Sequence, residues 1–155
     1  MKEKKYEFQY EVYDDISQLD EQDAWLLREA RSVTEQAYAP YSNFHVGAVA
    51  MLENGEVVAG TNQENASYPA GICAERVLLS AASSIYPGES IDTLAISYLG
   101  QGKKSDTPVA PCGVCRQSLV EFESRYNKPI RLILGGMAGE VYIFEAASKL
   151  LPLQF

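Results

Sequence analysis

Cysteine and histidine are scarce in this chain, with three thiols and one imidazole among 155 residues. A small odd number of cysteines without a secretory leader argues against a disulfide framework and points to thiol or metal chemistry. No apolar run approaches the ~18–20 residues needed to span a bilayer, so no membrane association is expected. Met1 to Tyr10 alternates charge with aromatic residues and holds no apolar block ending in small side chains, which is not the pattern of a signal peptide. A cytoplasmic protein is expected. Positive charge is also short, with thirteen Lys and Arg against twenty-one Asp and Glu and a net charge of -8. Such a field repels phosphate backbones unless a local basic stripe overrides it, and none is visible. Eight of the acids fall within residues 1–23, and the remainder carries thirteen acids against ten bases. Nucleic acid, single-stranded included, is therefore not an expected partner.

What is present is the composition of a globular chain, 46% hydrophobic and 22% charged. Its length suffices to bury roughly 68–70% of the unfolded surface without staples. No repeat, low-complexity tract or linker divides it, so residues 1–155 are expected to form one domain, with 1–20 an N-terminal extension of unassigned role. Period-two alternation over residues 5–13 predicts an edge strand. From the plausible N-cap Asp20, apolar residues recur at helical spacing until Pro40, which predicts a helix from about Glu21 to Ala39. Phe44 to Leu52 reads as a strand, and Asn54-Gly55 suits a two-residue hairpin turn into Glu56 to Thr61. Helices over Cys73 to Tyr86 and Cys112 to Tyr126 alternate with strands over Thr93–Leu99, Ile130–Leu134 and Glu140–Phe144. A last helical turn falls near Glu145 to Leu151. This order predicts an α/β fold, a three-layer α/β/α sandwich on a mixed sheet of about five strands.

Two segments carry chemistry: Cys73-Ala74-Glu75-Arg76 and Pro111-Cys112-Gly113-Val114-Cys115-Arg116-Gln117. Each sets thiols at a predicted helix N-terminus, where unpaired N–H groups and the helix dipole favour thiolate. Cys112 and Cys115, three apart, face one way and can share an ion. A Cys-x-x-Cys pair alone is weak, because redox pairs and zinc ribbons also use it. The third thiol narrows the choice, since three protein ligands leave a tetrahedral zinc open to water, the layout of a catalytic site. The lone histidine, His45, sits in a strand pattern outside any ligand spacing and reads as structural. Glu75, two residues after a ligand, is the candidate proton carrier. A non-catalytic zinc module would have no use for a carboxylate there. Zn²⁺ with three thiolates carries a net negative charge, so N–H donors or cations nearby are needed to keep its water acidic. Arg76, the only Lys or Arg between Ser32 and Gly102, and Arg116, which follows Cys115, are the candidate donors.

A ligand-x-Glu segment paired with Pro-Cys-x-x-Cys is the pattern of the zinc nucleobase deaminases. With Ser42-x-Phe44-x-Val46-Gly47-Ala48, Asn62-x-Glu64-Asn65-Ala66-x-Tyr68 and Leu150-Leu151-Pro152-x-x-Phe155 in the same order, residues 25–155 resemble the cytidine deaminases. The resemblance is to the short, homotetrameric, three-cysteine kind. It implies one zinc per chain on Cys73, Cys112 and Cys115, with Glu75 as general acid and base. The implied reaction is hydrolytic deamination of free cytidine and 2′-deoxycytidine, a step of pyrimidine salvage. By the same resemblance Asn62 and Glu64 bind the ribose 3′-hydroxyl, Phe44 packs on the pyrimidine, the Ala74 N–H meets the ring carbonyl and the Ala110 carbonyl meets the amino group. It further implies that Phe155 closes the site of a neighbouring subunit, with Tyr68 near that boundary. Read from the residues alone, Phe44 would be core and Thr61 to Ser67 a polar loop.

Overall fold

The computed structural model describes residues 1–100, 102 and 104–155. Asp20 caps the first helix, its carboxylate accepting from the Asp23 N–H at 2.8 Å. That helix, α1, spans Glu21–Val33 and continues as a 3-10 turn over Thr34–Gln36. It ends short of the Ala39 expected from the apolar spacing. The Thr34 hydroxyl donates back to the Arg31 carbonyl at 2.7 Å. Tyr38 leaves helical geometry because its N–H donates to the Asn62 carbonyl at 3.0 Å while its carbonyl accepts from the Glu64 N–H at 2.8 Å. Tertiary pairing thus overrides local helix periodicity here.

Among the described residues the sheet has six strands: β1 (Glu11–Tyr13), β2 (Phe44–Leu52), β3 (Val57–Thr61), β4 (Ile91–Gly100), β5 (Arg131–Gly135) and β6 (Val141–Phe144). Their order is β1-β6-β5-β4-β2-β3. About five strands were expected, and the sixth is β1, the edge strand read from the N-terminal alternation, which joins this same sheet beside β6. It pairs over three residues rather than the nine of the alternating stretch, because its partner β6 runs only from Val141 to Phe144. The β2–β3 connection is also longer than the two-residue turn expected. The Leu52 N–H donates to the Glu56 carbonyl at 2.8 Å, the Gly55 N–H donates to the Leu52 carbonyl at 2.9 Å, and Gly55 sits at φ +86. That is a three-residue loop whose glycine takes the left-handed position.

One pair, β4 with β5, is parallel. The crossover it requires is right where a helix belongs, and α3 (Gly113–Tyr126) fills it, while α2 (Ala74–Ile85) follows the hairpin. Alternation along each strand divides the core in two. Val49, Ala95 and Ile133 pack with Leu26, Leu27 and Ala30 of α1. Ala48, Ala50, Leu94, Ile96, Leu132 and Leu134 point the other way, toward Leu78 of α2 and Leu119 and Phe122 of α3. The result is the three-layer α/β/α sandwich. A bidentate pair, Arg131 to Asp23 at 2.6 and 2.5 Å, ties β5 to the start of α1. Among the described residues no helix is long and apolar enough to cross a membrane.

Gly60 lets α2 lie directly on β3. A Cβ there would stand 2.5 Å from the Ala74 carbonyl oxygen and 2.5 Å from the Leu78 nitrogen, both backbone atoms. Gly60→Ala is therefore expected to destabilise the fold by about 1–3 kcal/mol through overpacking, read as a lower midpoint of urea unfolding. An unchanged midpoint would show that α2 can move away without cost.

Candidate metal and proton-transfer site

Cys73 and Cys112 occupy the cap positions of α2 and α3, and Cys115 lies in the first turn of α3. Neither cap thiol is spent on a helix N–H. All three sulfurs lie within 4.8 Å of one another, and Cys73 Sγ is 3.8 Å from Cys112 Sγ. Tetrahedral zinc with Zn–S bonds of about 2.3 Å spaces its sulfurs about 3.8 Å apart, so the donor set fits that ion. Hydrogen bonding from the Cys115 thiol pulls the Cys73 thiol down to about 6, against burial and the Glu75 charge and with smaller help from Cys112 and Arg76. Cys115 is pushed up for the reciprocal reason, as the donor to Cys73, and by its burial. A cation bound here would displace the remaining thiol protons, because zinc ligates thiolate.

Glu75, in the first turn of α2, is only 6% exposed. Burial raises its carboxyl above the ordinary carboxylate range, with the backbone and the Cys115 thiol opposing. A cavity of about 320 Å³ brings Glu75, Cys73 and Cys112 together with Phe44, Asn62, Glu64, Tyr68, Ala74 and Ala110. Cys115 is buried behind this lining. The Ala74 N–H, first in its helix, has no helical carbonyl four residues back to pair with.

Asn62 and Glu64 each do structural work as well. The Asn62 amide extends the sheet, its Oδ1 accepting from the Val46 N–H at 2.7 Å and its Nδ2 donating to the Phe44 carbonyl at 2.8 Å. One Nδ2 proton is left over. Glu64 Oε1 accepts from the N–H groups of Tyr41 at 3.0 Å and Ser42 at 3.2 Å, which fixes the turn before Phe44. Although desolvation pushes the other way, the Ser42 hydroxyl, these two N–H groups and the His45 charge hold the Glu64 carboxyl below its ordinary range.

The other expected residues stand at the rim of the cavity or outside it. Arg116 was expected to share the thiolate charge, but its Nε donates to the Pro111 carbonyl at 2.8 Å and its Nη1 to the Leu150 carbonyl at 3.0 Å. It braces the loop that delivers Cys112 instead of bonding sulfur. Arg76 acts on Cys73 through charge. Phe155 is fully exposed, and it borders a groove between α2 and α3 away from the cavity of its own chain. Tyr68 sits 89% exposed on the lip.

Sequence reasoning missed Tyr98, whose ring stacks on Phe44 with centroids 5.1 Å apart and whose hydroxyl donates to the Thr107 carbonyl at 2.7 Å. Tyr98 faces Val46 across the β2–β4 pair, and the alternation Leu94, Ile96, Tyr98 along one face was the available signal.

Residues 20–127 match the family model described as cytidine and deoxycytidylate deaminase zinc-binding region. A cytidine deaminase of Halalkalibacterium halodurans is 39% identical over 130 residues, covering 84% of this chain and 91% of the relative. One from Sporosarcina psychrophila is 35% identical, covering 84% and 88%. The crystal structure of cytidine deaminase from Burkholderia pseudomallei superposes with a TM-score of 0.72 at 39% identity, covering 84% of this chain and 97% of that one.

Elemental analysis of the purified protein is expected to give one zinc per chain, and Cys112→Ala to lower that ratio sharply. A fully active preparation without metal would contradict the assignment.

Proposed function

The chain belongs to the cytidine and deoxycytidylate deaminase family, and on that premise we propose that it hydrolyses free cytidine and 2′-deoxycytidine to the corresponding uridine and ammonia, a pyrimidine-salvage reaction. The observation that carries this reading is the cavity itself. One lining unites two sulfurs of the zinc-fitting cluster, a buried carboxyl, an aromatic face and an amide–carboxylate pair. Among the described residues no Lys, Arg or His lines it, so no cationic side chain is set to meet a 5′-phosphate, which favours nucleosides over nucleotides.

Zinc held by Cys73, Cys112 and Cys115 supplies, when bound, an acidified water as nucleophile. Glu75 is placed to move the two protons that hydrolysis transfers, the first to N3 of the pyrimidine and the second, from the hydroxyl added at C4, to the leaving amine. Water adds its oxygen to C4, the C4–N4 bond breaks, and ammonia departs with the proton balance closed. A carboxyl raised by burial suits a group that must both accept and return a proton near neutrality. Phe44, backed by Tyr98, packs on the base. The Ala74 N–H donates to the ring carbonyl, and the Ala110 carbonyl accepts from the amino group. The remaining Asn62 Nδ2 proton donates to the ribose 3′-hydroxyl, and Glu64 Oε2 accepts from it. A clamp of this kind ignores the 2′ position and admits both sugars.

The assembly we infer is a homotetramer. Phe155 and Leu153 are fully exposed on this chain and Tyr68 nearly so, an apolar set that a neighbouring subunit would cover. Phe155 then excludes water from the adjacent chain's nucleoside.

Glu75→Gln is expected to keep fold and zinc while lowering cytidine turnover by at least ~10²-fold, the range of positioned proton transfer. Turnover within a few-fold of wild type would assign the proton to another group. Deleting Gln154 and Phe155 is expected to raise the KM for cytidine without loss of zinc. A truncated chain that stays tetrameric by light scattering with unchanged KM and kcat would remove Phe155 from the site.

A further inference from the structure

The segment ahead of β1 makes contacts that neither the sheet nor the cavity requires. Residues 1–19 lie outside the region matched by the family model, yet Phe8 and Tyr10 are laid against Phe144 at the end of β6, with the Tyr6 ring 6.2 Å from that of Phe8. Tyr10 stacks on Phe144 with ring centroids 5.0 Å apart and meets Tyr142 at 5.2 Å, and Phe8 reaches Phe144 at 6.2 Å. Phe144 is buried in one core cluster with Ala147 and Leu150. Stacking therefore fixes this segment to the base of the C-terminal 3-10 turn, Ala147–Leu150. The Tyr6 hydroxyl then donates to the Lys149 carbonyl at 2.8 Å, across 143 positions of sequence.

The turn that Tyr6 grips is the one from which the tail departs. From the other side α3 holds it, with Glu123 Oε1 accepting from the Ala147 N–H at 2.8 Å and Arg116 Nη1 donating to the Leu150 carbonyl at 3.0 Å. Arg116 reaches back to Pro111, beside Cys112. Two adjacent carbonyls, of Lys149 and Leu150, are thus held by the N-terminal segment and by the ligand-bearing helix respectively. A four-residue 3-10 turn has poor internal hydrogen-bond geometry, so such external bonds decide its orientation.

We propose that Tyr6–Tyr10 form a positioning strap for the C-terminal turn, with Tyr6 fixing the direction in which Leu151–Phe155 leaves it. The effect on catalysis rests on the reading of Phe155 as a closing residue in a neighbouring site. The effect on the turn does not.

Tyr6→Phe keeps the ring and removes the donor. Within the turn the Lys149 amide donates to Ala146 and the Leu151 amide to Ser148, at 3.2 and 3.1 Å. Exchange of these two amides is expected to quicken about three- to tenfold, the scale of one hydrogen bond, with the amides of α1 and β4 unchanged. The KM for cytidine is expected to rise by a similar factor at unchanged kcat and zinc content. That rise is expected to vanish in a chain already lacking Gln154 and Phe155. Deleting residues 1–10 is expected to give the same local pattern, enlarged. Unchanged turn amides in both variants, or exchange quickened uniformly across the core, would overturn the strap. Quicker turn exchange with an unchanged KM would uphold the strap and count against the Phe155 reading.

Discussion

Three sulfur atoms converging within 4.8 Å is the constraint on which the rest of the molecule turns. Two belong to α3 and its cap, and one to the cap of α2, so the starts of both helices must meet on one face of the sheet. Sheet order provides this. β2 and β4 are neighbours over nearly their full length, the hairpin strand β3 lies outside β2, and the parallel β4–β5 pair forces α3 back across the same face. Helix starts also supply the unpaired N–H groups that stabilise thiolate, so the architecture that gathers the ligands also helps to ionise them.

The close seat of α2 on β3 carries this geometry to the proton-transfer group. Cys73, Ala74 and Glu75 enter the cavity from the first turn of α2, whose height above the sheet is set at Gly60. On the opposite wall the polar residues serve twice. Asn62 completes the hydrogen bonding of β2 and Glu64 fixes the turn at Tyr41 and Ser42. Each keeps part of its hydrogen-bonding capacity for a ligand. A site assembled from groups already locked by the fold costs little ordering when substrate arrives.

Much of this was legible in the sequence because it is local. Cys-x-x-Cys spacing at a helix start, the Asp20 cap, the alternation of Phe44 to Leu52 and the place, though not the length, of the turn at Asn54-Gly55 each depend on neighbours in the chain. What was not legible depends on distant partners. Tyr98 joins the cavity through its register with Val46, which no short window reveals. Arg116 follows a ligand as a charge donor would, yet its partners are carbonyls fixed by the fold, one of them 34 residues away. The helix from Glu21 ends at Val33 because Tyr38 pairs with Asn62 and Glu64, and the N-terminal strand is cut short because β6 runs out.

The central claim is that this cavity deaminates a free cytosine nucleoside, and loss of ultraviolet absorbance on cytidine tests it most directly. With zinc-loaded wild-type protein, cytidine and 2′-deoxycytidine are expected to be turned over with release of ammonia, while dCMP, free cytosine and single-stranded DNA are not. No absorbance change on either nucleoside with zinc fully bound, or preferential turnover of dCMP or single-stranded DNA, would contradict it.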